Sequence, residues 1–304
     1  MNKRFREVIL PLITAFIWGT AFVAQKNGGN MLGALSFNWI RMMVAAVGLL
    51  ILVIIRGKKK PVAYDSEEDR KKEKKQLWRG GLVVGTILAV ASSLQQYGVN
   101  VTTAAKAGFI NSLYIVIVPL LGLFLGRKVK PKVWCAVAVS ILGLYFLNFT
   151  SEGAPSFNSG DLCILACSFV LSLHILTIDH YTNYVDELKL SCIQFFVAAV
   201  EVMIIGLIYE KLTLQAVIDC LPYILYTGIV SNGIGYTLQI LAQKEGDPTV
   251  VSILLSLEAF FAVISGALIL HETVSMREAI GCALMFAAVI LVNLPEKKKD
   301  KAII

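Results

Sequence analysis

Residues 249–270 read TVVSILLSLEAFFAVISGALIL, 22 residues with a single charge, Glu258, near the middle. At about 1.5 Å of rise per residue, a helix of this length crosses the roughly 30 Å hydrocarbon layer of a bilayer. Lipid offers backbone N–H and C=O groups no partners, so the segment must satisfy them internally as a helix. A charge at that depth costs on the order of 2.5–3.5 kcal/mol on insertion scales. Glu258 is therefore expected to meet a partner, to border a water-filled cavity, or to be protonated. The remaining sequence reads as a scaffold that sets this helix beside a cavity.

The composition agrees. Of 304 residues, 57% are hydrophobic and 16% charged, whereas soluble domains are about half apolar and a quarter charged. The expected class is an all-α integral membrane protein. Ten apolar segments can be marked: 8–25, 34–55, 80–99, 104–125, 133–149, 161–178, 188–209, 221–242, 249–270 and 278–294. Most connections are short. The exception, 56–79, is dense in charge and reads as a solvated loop. The first segment follows Lys3, Arg4 and Arg6 and could imitate a signal peptide, but with nine further spans after it a retained helix is expected. Net charge is +7, which in such a chain points to loops beside anionic lipid, not to nucleic acid. Six cysteines lie in or at the edge of apolar segments, and no pairing suggests a disulfide or metal site. There is no GxxxxGK[ST], so no ATP motor and no cofactor are expected.

Lysine and arginine placement sets the orientation. With the N-terminus inside, 23 of the 28 fall in cytoplasmic segments and four (Lys26, Lys106, Lys211 and Arg277) outside, leaving Arg41 within the membrane. The positive-inside rule then places both termini in the cytoplasm of a cell-membrane protein. The chain also repeats itself. Residues 40–47, IRMMVAAV, return 153 positions later as IQFFVAAV. Leu94-Gln95 returns 144 positions later as Leu238-Gln239, and Ser112-Leu113 as Ser256-Leu257. Five spans per half is an odd number, so halves 1–149 and 150–304 would lie in opposite orientations. The basic Arg127–Lys132 turn has a non-basic echo at 271–277, as inversion requires. Ten transmembrane helices arranged as two inverted five-helix repeats form a transporter architecture, with the solute near the midplane between halves.

Polar side chains within the spans are the candidate site. Glu258 is read as a binding or coupling carboxylate; the alternative is a structural carboxylate bonded to a neighbouring helix. Arg41 and Glu201 have matching depths below the outer surface, which fits a pair, a shared vestibule, or snorkelling of Arg41. Span eight carries Asn232, Tyr236, Gln239 and Gln243 at spacings of one helix face. Span three carries Ser93, Gln96 and Asn100, with Ser92 and Gln95 adjacent; span four carries Asn111 and Tyr114. Such stripes line a polar cavity or serve as interhelical glue. Gln95 and Gln239, as repeat mates, are expected to bond a solute from opposite sides. His174 is either packed or a proton relay. Trp18 and Trp39 are cavity wall, lid or interfacial belt. Pro119 is expected to kink span four.

The text AFIWGTAFVAQK (15–26), Arg41 with its following VAAV, FINSLYIVIVPLLGLFLGRKV (109–129), GDLCILACSFVLSLH (160–174) and Ser252–Glu258 with FFAVISGALILHETVS resemble the EamA-type transporters of the drug/metabolite transporter superfamily. The likeness spans nearly the whole chain. It implies ten helices and transport of small polar metabolites such as amino acids or nucleosides. It also implies a cavity lined mainly by spans three, four, eight and nine, with spans one, two, six and seven opening and closing it. Two positions depart. Leu171 stands where such proteins often have Trp, and Ala259 stands where a Pro often follows the Glu, so no helix break is argued there.

The expected activity is export of a small-molecule solute by alternating access, in a monomer or homodimer surrounded by membrane lipid. A passive channel and a lipid-modifying membrane enzyme are the alternatives. The enzyme would need a nucleophile, metal ligands or paired acids near an interface, and three scattered histidines with no HExxH do not supply them.

Overall fold

The structure is a computed structural model, and it describes residues 5–59, 66–102, 104–148, 158–244, 246–269 and 275–294. Among these it is helical throughout, without strands. After a π-turn at Phe5–Ile9, the helices are α1 (Leu10–Leu32), α2 (Ala34–Lys59), α3 (Glu67–Val101), α4 (Ala104–Asn111), α5 (Tyr114–Phe124), α6 (Pro131–Asn148) and α7 (Ser159–Tyr181). There follow α8 (Glu187–Tyr209), α9 (Leu214–Asp219), α10 (Leu221–Leu225), a π-helical stretch Tyr226–Tyr236, α11 (Thr237–Gln243), α12 (Pro248–Leu255), α13 (Glu258–Ile269) and α14 (Met276–Asn293).

Seven of the helical stretches described are long and apolar enough to cross a bilayer. The remaining apolar segments are helical but shorter (α6, α14) or assembled from pieces (α10, the π stretch and α11). Large apolar side chains line the outside, among them Leu50, Ile51, Leu52, Ile54, Ile204, Ile205, Leu207 and Ile208. An outer surface of this kind suits lipid, which is as apolar as leucine.

The charged 56–79 segment departs from expectation. It is largely helical: α2 runs on to Lys59, and α3 starts at Glu67. Ser66 caps α3 by accepting from the Asp69 N–H at 3.0 Å. Glu67, Glu68 and Asp69 then occupy the positive end of the helix dipole, where carboxylates stabilise it. At 35 residues α3 is about 50 Å long, so its first turns project beyond the hydrocarbon. Residues 60–65 lie outside the described set, as does the 270–274 part of the predicted outer turn.

Where polar backbone is released, the chain shows why. Spans four and nine are each broken, at Ser112-Leu113 and Ser256-Leu257, the two stretches related by the 144-residue offset. Both breaks tighten to i→i+3 bonds, Ile115 N–H to Ser112 at 3.1 Å and Ala259 N–H to Ser256 at 3.3 Å. The interruption in span four thus falls before Pro119, which sits inside α5. Span nine breaks without a proline, directly before Glu258. Span eight departs from an α-helix over 226–236, and α1 accommodates it. Trp18 donates to the Ser231 carbonyl at 3.2 Å and Thr14 to the Gly235 carbonyl at 3.3 Å. A Cβ at Gly235 would lie 2.7 Å from the Trp18 indole nitrogen, so a larger residue there would displace the indole.

Packing brings the repeated texts together. Helix α2 lies along α8, α3 along α7 and α8, α6 along α14, and α1 along α13 and the π stretch. Ala45 and Ala46 share one buried cluster with Ala198 and Ala199, so the two VAAV copies pack on each other. Small residues allow this approach. At Gly85 of α3 a Cβ would lie 2.9 Å from the Gln194 carbonyl oxygen and 2.7 Å from Val197 of α8, whereas at Gly48 of α2 nothing lies within 4 Å. We expect Gly85→Ala to cost about 1–3 kcal/mol and to lower the melting temperature of the detergent-purified protein by several degrees. Gly48→Ala should leave it unchanged. Equal behaviour of the two variants would contradict the packing described.

Candidate solute-binding site

A small cavity sits in the middle of the bundle. It encloses about 20 Å³ and is lined by Trp18, Phe22 and Gln25 of α1, Arg41 of α2, Gln95 of α3, Asn111 of α4, Leu171 of α7, Ser231, Asn232 and Tyr236 of the π stretch, and Glu258 of α13. That volume is of the order one or two waters occupy. Spans one, two and six therefore form the wall together with spans three, four, eight and nine, a wider lining than the family likeness implied.

Glu258 is buried and opens α13 just after the break. Three donors converge on its Oε1: Asn111 Nδ2 at 3.0 Å, Ser112 Oγ at 3.4 Å and Tyr114 OH at 3.4 Å. All three flank the break in span four. Asn111 ends one short helix, Ser112 lies in the break and Tyr114 starts the next helix. Tyr114 and Glu258 are themselves 144 positions apart, so equivalent positions of the two repeated texts bond to each other. Asn111 Oδ1 in turn accepts from Gln95 Nε2 at 3.3 Å and Cys167 Sγ at 3.5 Å.

Arg41 is buried on another part of the wall. Its Nε and one terminal nitrogen both donate to Asn38 Oδ1, at 3.1 and 3.0 Å, and its guanidinium lies 5.7 Å from the Phe37 ring centre. Asn38 is anchored on α3 by donating to Ser92 Oγ at 3.0 Å. The expected pairing of Arg41 with Glu201 is not formed. Glu201 accepts from Thr86 of α3 at 2.7 Å, outside the cavity lining. Sequence number gives depth along a helix but not rotation about its axis, and the two side chains turn to different sides of the α2–α8 contact.

Of the other predicted residues, Trp18 stacks on Tyr236 with ring centres 4.7 Å apart, and both border the cavity. His174 lies behind the wall, its Nε2 bonded to Gln194 at 3.2 Å and its ring edge-on to Tyr236. Gln239 is buried with its Oε1 unpaired, but it does not join its repeat mate Gln95 in the lining. The polar stripes divide. Gln96 donates to the Gln25 carbonyl and to Asn100, both at 2.9 Å, and Gln243 to the Ile175 carbonyl at 2.9 Å. The two bonds to carbonyls join different helices and the one to Asn100 lies within α3, while Gln95, Asn111, Asn232 and Tyr236 face the cavity. Sequence reasoning passed over Phe22, Gln25 and Ser231. Gln25 was legible as an amide within the first apolar run, but Ser231 gained its place only through the π geometry.

Both ends of the bundle are tied. At the end carrying the start of α3, Arg56 pairs with Asp186 at 2.7 Å, Lys189 with Glu73 at 3.8 Å, Lys244 with Glu187, and Arg127 with Asp179. At the opposite end Glu210 accepts from the N–H groups of Leu35 and Ser36 at 3.0 and 2.6 Å, and Lys26 donates to the Thr102 carbonyl at 2.6 Å.

An all-helical membrane bundle around a small cavity bearing both an arginine and a glutamate has the build of a solute transporter. The model of the EamA-like transporter family matches this chain twice, over residues 5–149 and 158–294, and the chain belongs to that family, within the drug/metabolite transporter superfamily. It is 27% identical to an uncharacterized transporter of Archaeoglobus fulgidus, over 97% of this chain and 87% of that one. It is 23% identical to a WAT1-related chloroplastic protein of Arabidopsis thaliana, over 96% of this chain and 70% of the other. A solved crystal structure superposes with a TM-score of 0.76 at 16% identity, covering 94% of this chain and 96% of its own, a likeness of fold.

The division of the polar residues gives a test. Gln96→Ala removes the bond from α3 to the Gln25 carbonyl of α1, together with a bond to Asn100 within α3, and should cost about 1 kcal/mol in thermal unfolding of the purified protein. Gln95→Ala, with one long bond beside a cavity, should cost less. The reverse order would contradict the assignment of Gln96 to scaffold and Gln95 to cavity.

Proposed function

We propose that the protein is a secondary transporter that exports a small polar metabolite across the cell membrane by alternating access, with Glu258 as the central binding and coupling group. The observation that carries this reading is the Glu258 cluster itself. A carboxylate is held by Asn111, Ser112 and Tyr114 where two interrupted helices meet, beside a small polar cavity. Interrupted helices with polar groups at mid-depth are how transporter folds build solute sites.

The architecture behind the proposal is ten spans in two inverted halves, 1–149 and 150–304. The double family match supports it. So does the packing, which nearly maps onto itself when the halves are exchanged: span one on eight and nine answers span six on three and four, while two on seven and five on ten pair equivalent spans. The ion pairs support the orientation. Arg56, Glu73, Arg127, Asp179, Asp186, Glu187, Lys189 and Lys244, all assigned to the cytoplasmic side by charge, meet one another at one end. Those pairs would act as the inner gate, and the Glu210 and Lys26 contacts as the outer one. Contacts that tie the bundle at both ends favour a carrier over a channel, and the family and its named relatives favour transport over catalysis.

Glu258→Gln keeps the shape of the site and removes the charge. In proteoliposomes we expect saturable counterflow by the wild-type protein and at least a tenfold loss in this variant at equal expression, a barrier change of about 1.4 kcal/mol or more. Wild-type flux in the variant would remove Glu258 from the mechanism. Reporter fusions should place Arg127 inside and His271 outside; finding both on one face would refute the inverted repeat.

A further inference from the structure

We propose that the solute carries a carboxylate, that Arg41 reads it, and that Asn38 is the residue that positions Arg41. This rests on the transport reading above and names the solute's chemical class.

Arg41 is 2% exposed, so its charge is almost wholly removed from bulk water. A guanidinium does not give up its proton in a protein. Among the described residues no carboxylate lies within ion-pair distance of it. Glu201 is taken by Thr86, and Glu258 by Asn111, Ser112 and Tyr114. The bonds Arg41 makes are both to one neutral oxygen, Asn38 Oδ1, and they hold one edge of the guanidinium. Asn38 is fully buried and fixed from α3 by Ser92. Among the described residues the other edge has no hydrogen-bond partner, and the side chain borders the cavity. A buried cation without a counter-ion is unfavourable, and an anion arriving in the cavity removes that penalty.

Further details favour a carboxylate over a larger or more highly charged anion. The guanidinium fork matches a planar carboxylate. Asn232 Nδ2, a buried donor with no partner, borders the same cavity and supplies a second contact. Glu258 on the wall opposes any second negative charge, which disfavours a phosphate dianion, and it offers an acceptor to an amino group if the solute has one. The arginine end is also one-sided. Gln194, 153 positions after Arg41, is bonded to His174 and takes no part in the lining.

The test uses the full-length protein purified in detergent and reads melting temperature against matched probes: neutral α-amino acids, their carboxamides, the corresponding unsubstituted monocarboxylates, and inorganic phosphate. A ligand selective for the native state raises the midpoint, by a few degrees at about 100 times its Kd. We expect at least one carboxylate probe to do so and its carboxamide not to. An effect of the amino acid alone assigns the amino group to Glu258; an effect of the plain monocarboxylate as well leaves Arg41 as the sole determinant. Both outcomes support the proposal. Arg41→Gln and Arg41→Lys should abolish the response. Asn38→Asp supplies Arg41 with an internal carboxylate, so this variant should melt no lower than wild type and yet lose at least tenfold in carboxylate affinity. The proposal is overturned if carboxamides or phosphate stabilise as well as carboxylates, if no carboxylate acts, or if Asn38→Asp responds like wild type. An uncharged nucleoside that stabilises the protein and is carried in a Glu258-dependent way would refute the carboxylate and keep the transporter. Carboxylate binding without counterflow of any probe would do the opposite.

Discussion

A carboxylate in the middle of a membrane bundle must be solvated by the protein, because lipid cannot do it. Around Glu258 that requirement organises the local architecture. Three donors reach one oxygen, and all three lie at the interruption of span four. The cost of breaking two helices is lowered by i→i+3 bonds at each break and by burial among α1, α7 and α14. In an unbroken span four Asn111 and Tyr114, three residues apart, would still share a face, whereas Ser112 would point about 100° away from Asn111.

The same logic extends to the second cavity charge. Arg41 and Glu258 share one small space without pairing, each held by neutral groups on its own side. Direct pairing would satisfy both and leave little for a solute to bind. On separate polar brackets, neither charge is neutralised by the other. The tight ion pairs are instead found at the ends of the bundle, where partial hydration makes them weak and easily exchanged. That distribution places unpaired charges at the centre and partly hydrated ion pairs at the ends.

Sequence periodicity was informative wherever lipid is the judge. Apolar runs became helices because an unsatisfied backbone is not tolerated there, and each of the ten marked segments falls on helical residues among those described. It was less informative where two outcomes satisfy the same rule. Gln95 and Gln96 are adjacent amides on one helix, yet one faces the cavity and the other knits α1 to α3. Charge density suggested a solvated loop at 56–79, but Ser66 and the acidic first turn favour helix without any need for apolar burial. Matching depths suggested that Arg41 and Glu201 pair, and the rotation of α2 against α8 decided otherwise.

The amino-acid sequence by itself determined the membrane class, the helical segments, the repeated text and the presence of one charge, Glu258, within an apolar segment, because hydropathy and a lone charge are local properties of the chain. Only the tertiary structure decided which polar faces meet. The breaks at 112–113 and 256–257, the π-helical stretch that aims Asn232 and Tyr236, and the bracketing of Arg41 by Asn38 all depend on what a neighbouring helix supplies. A helix can be written in one segment, but a cavity is made by the space several segments leave between them.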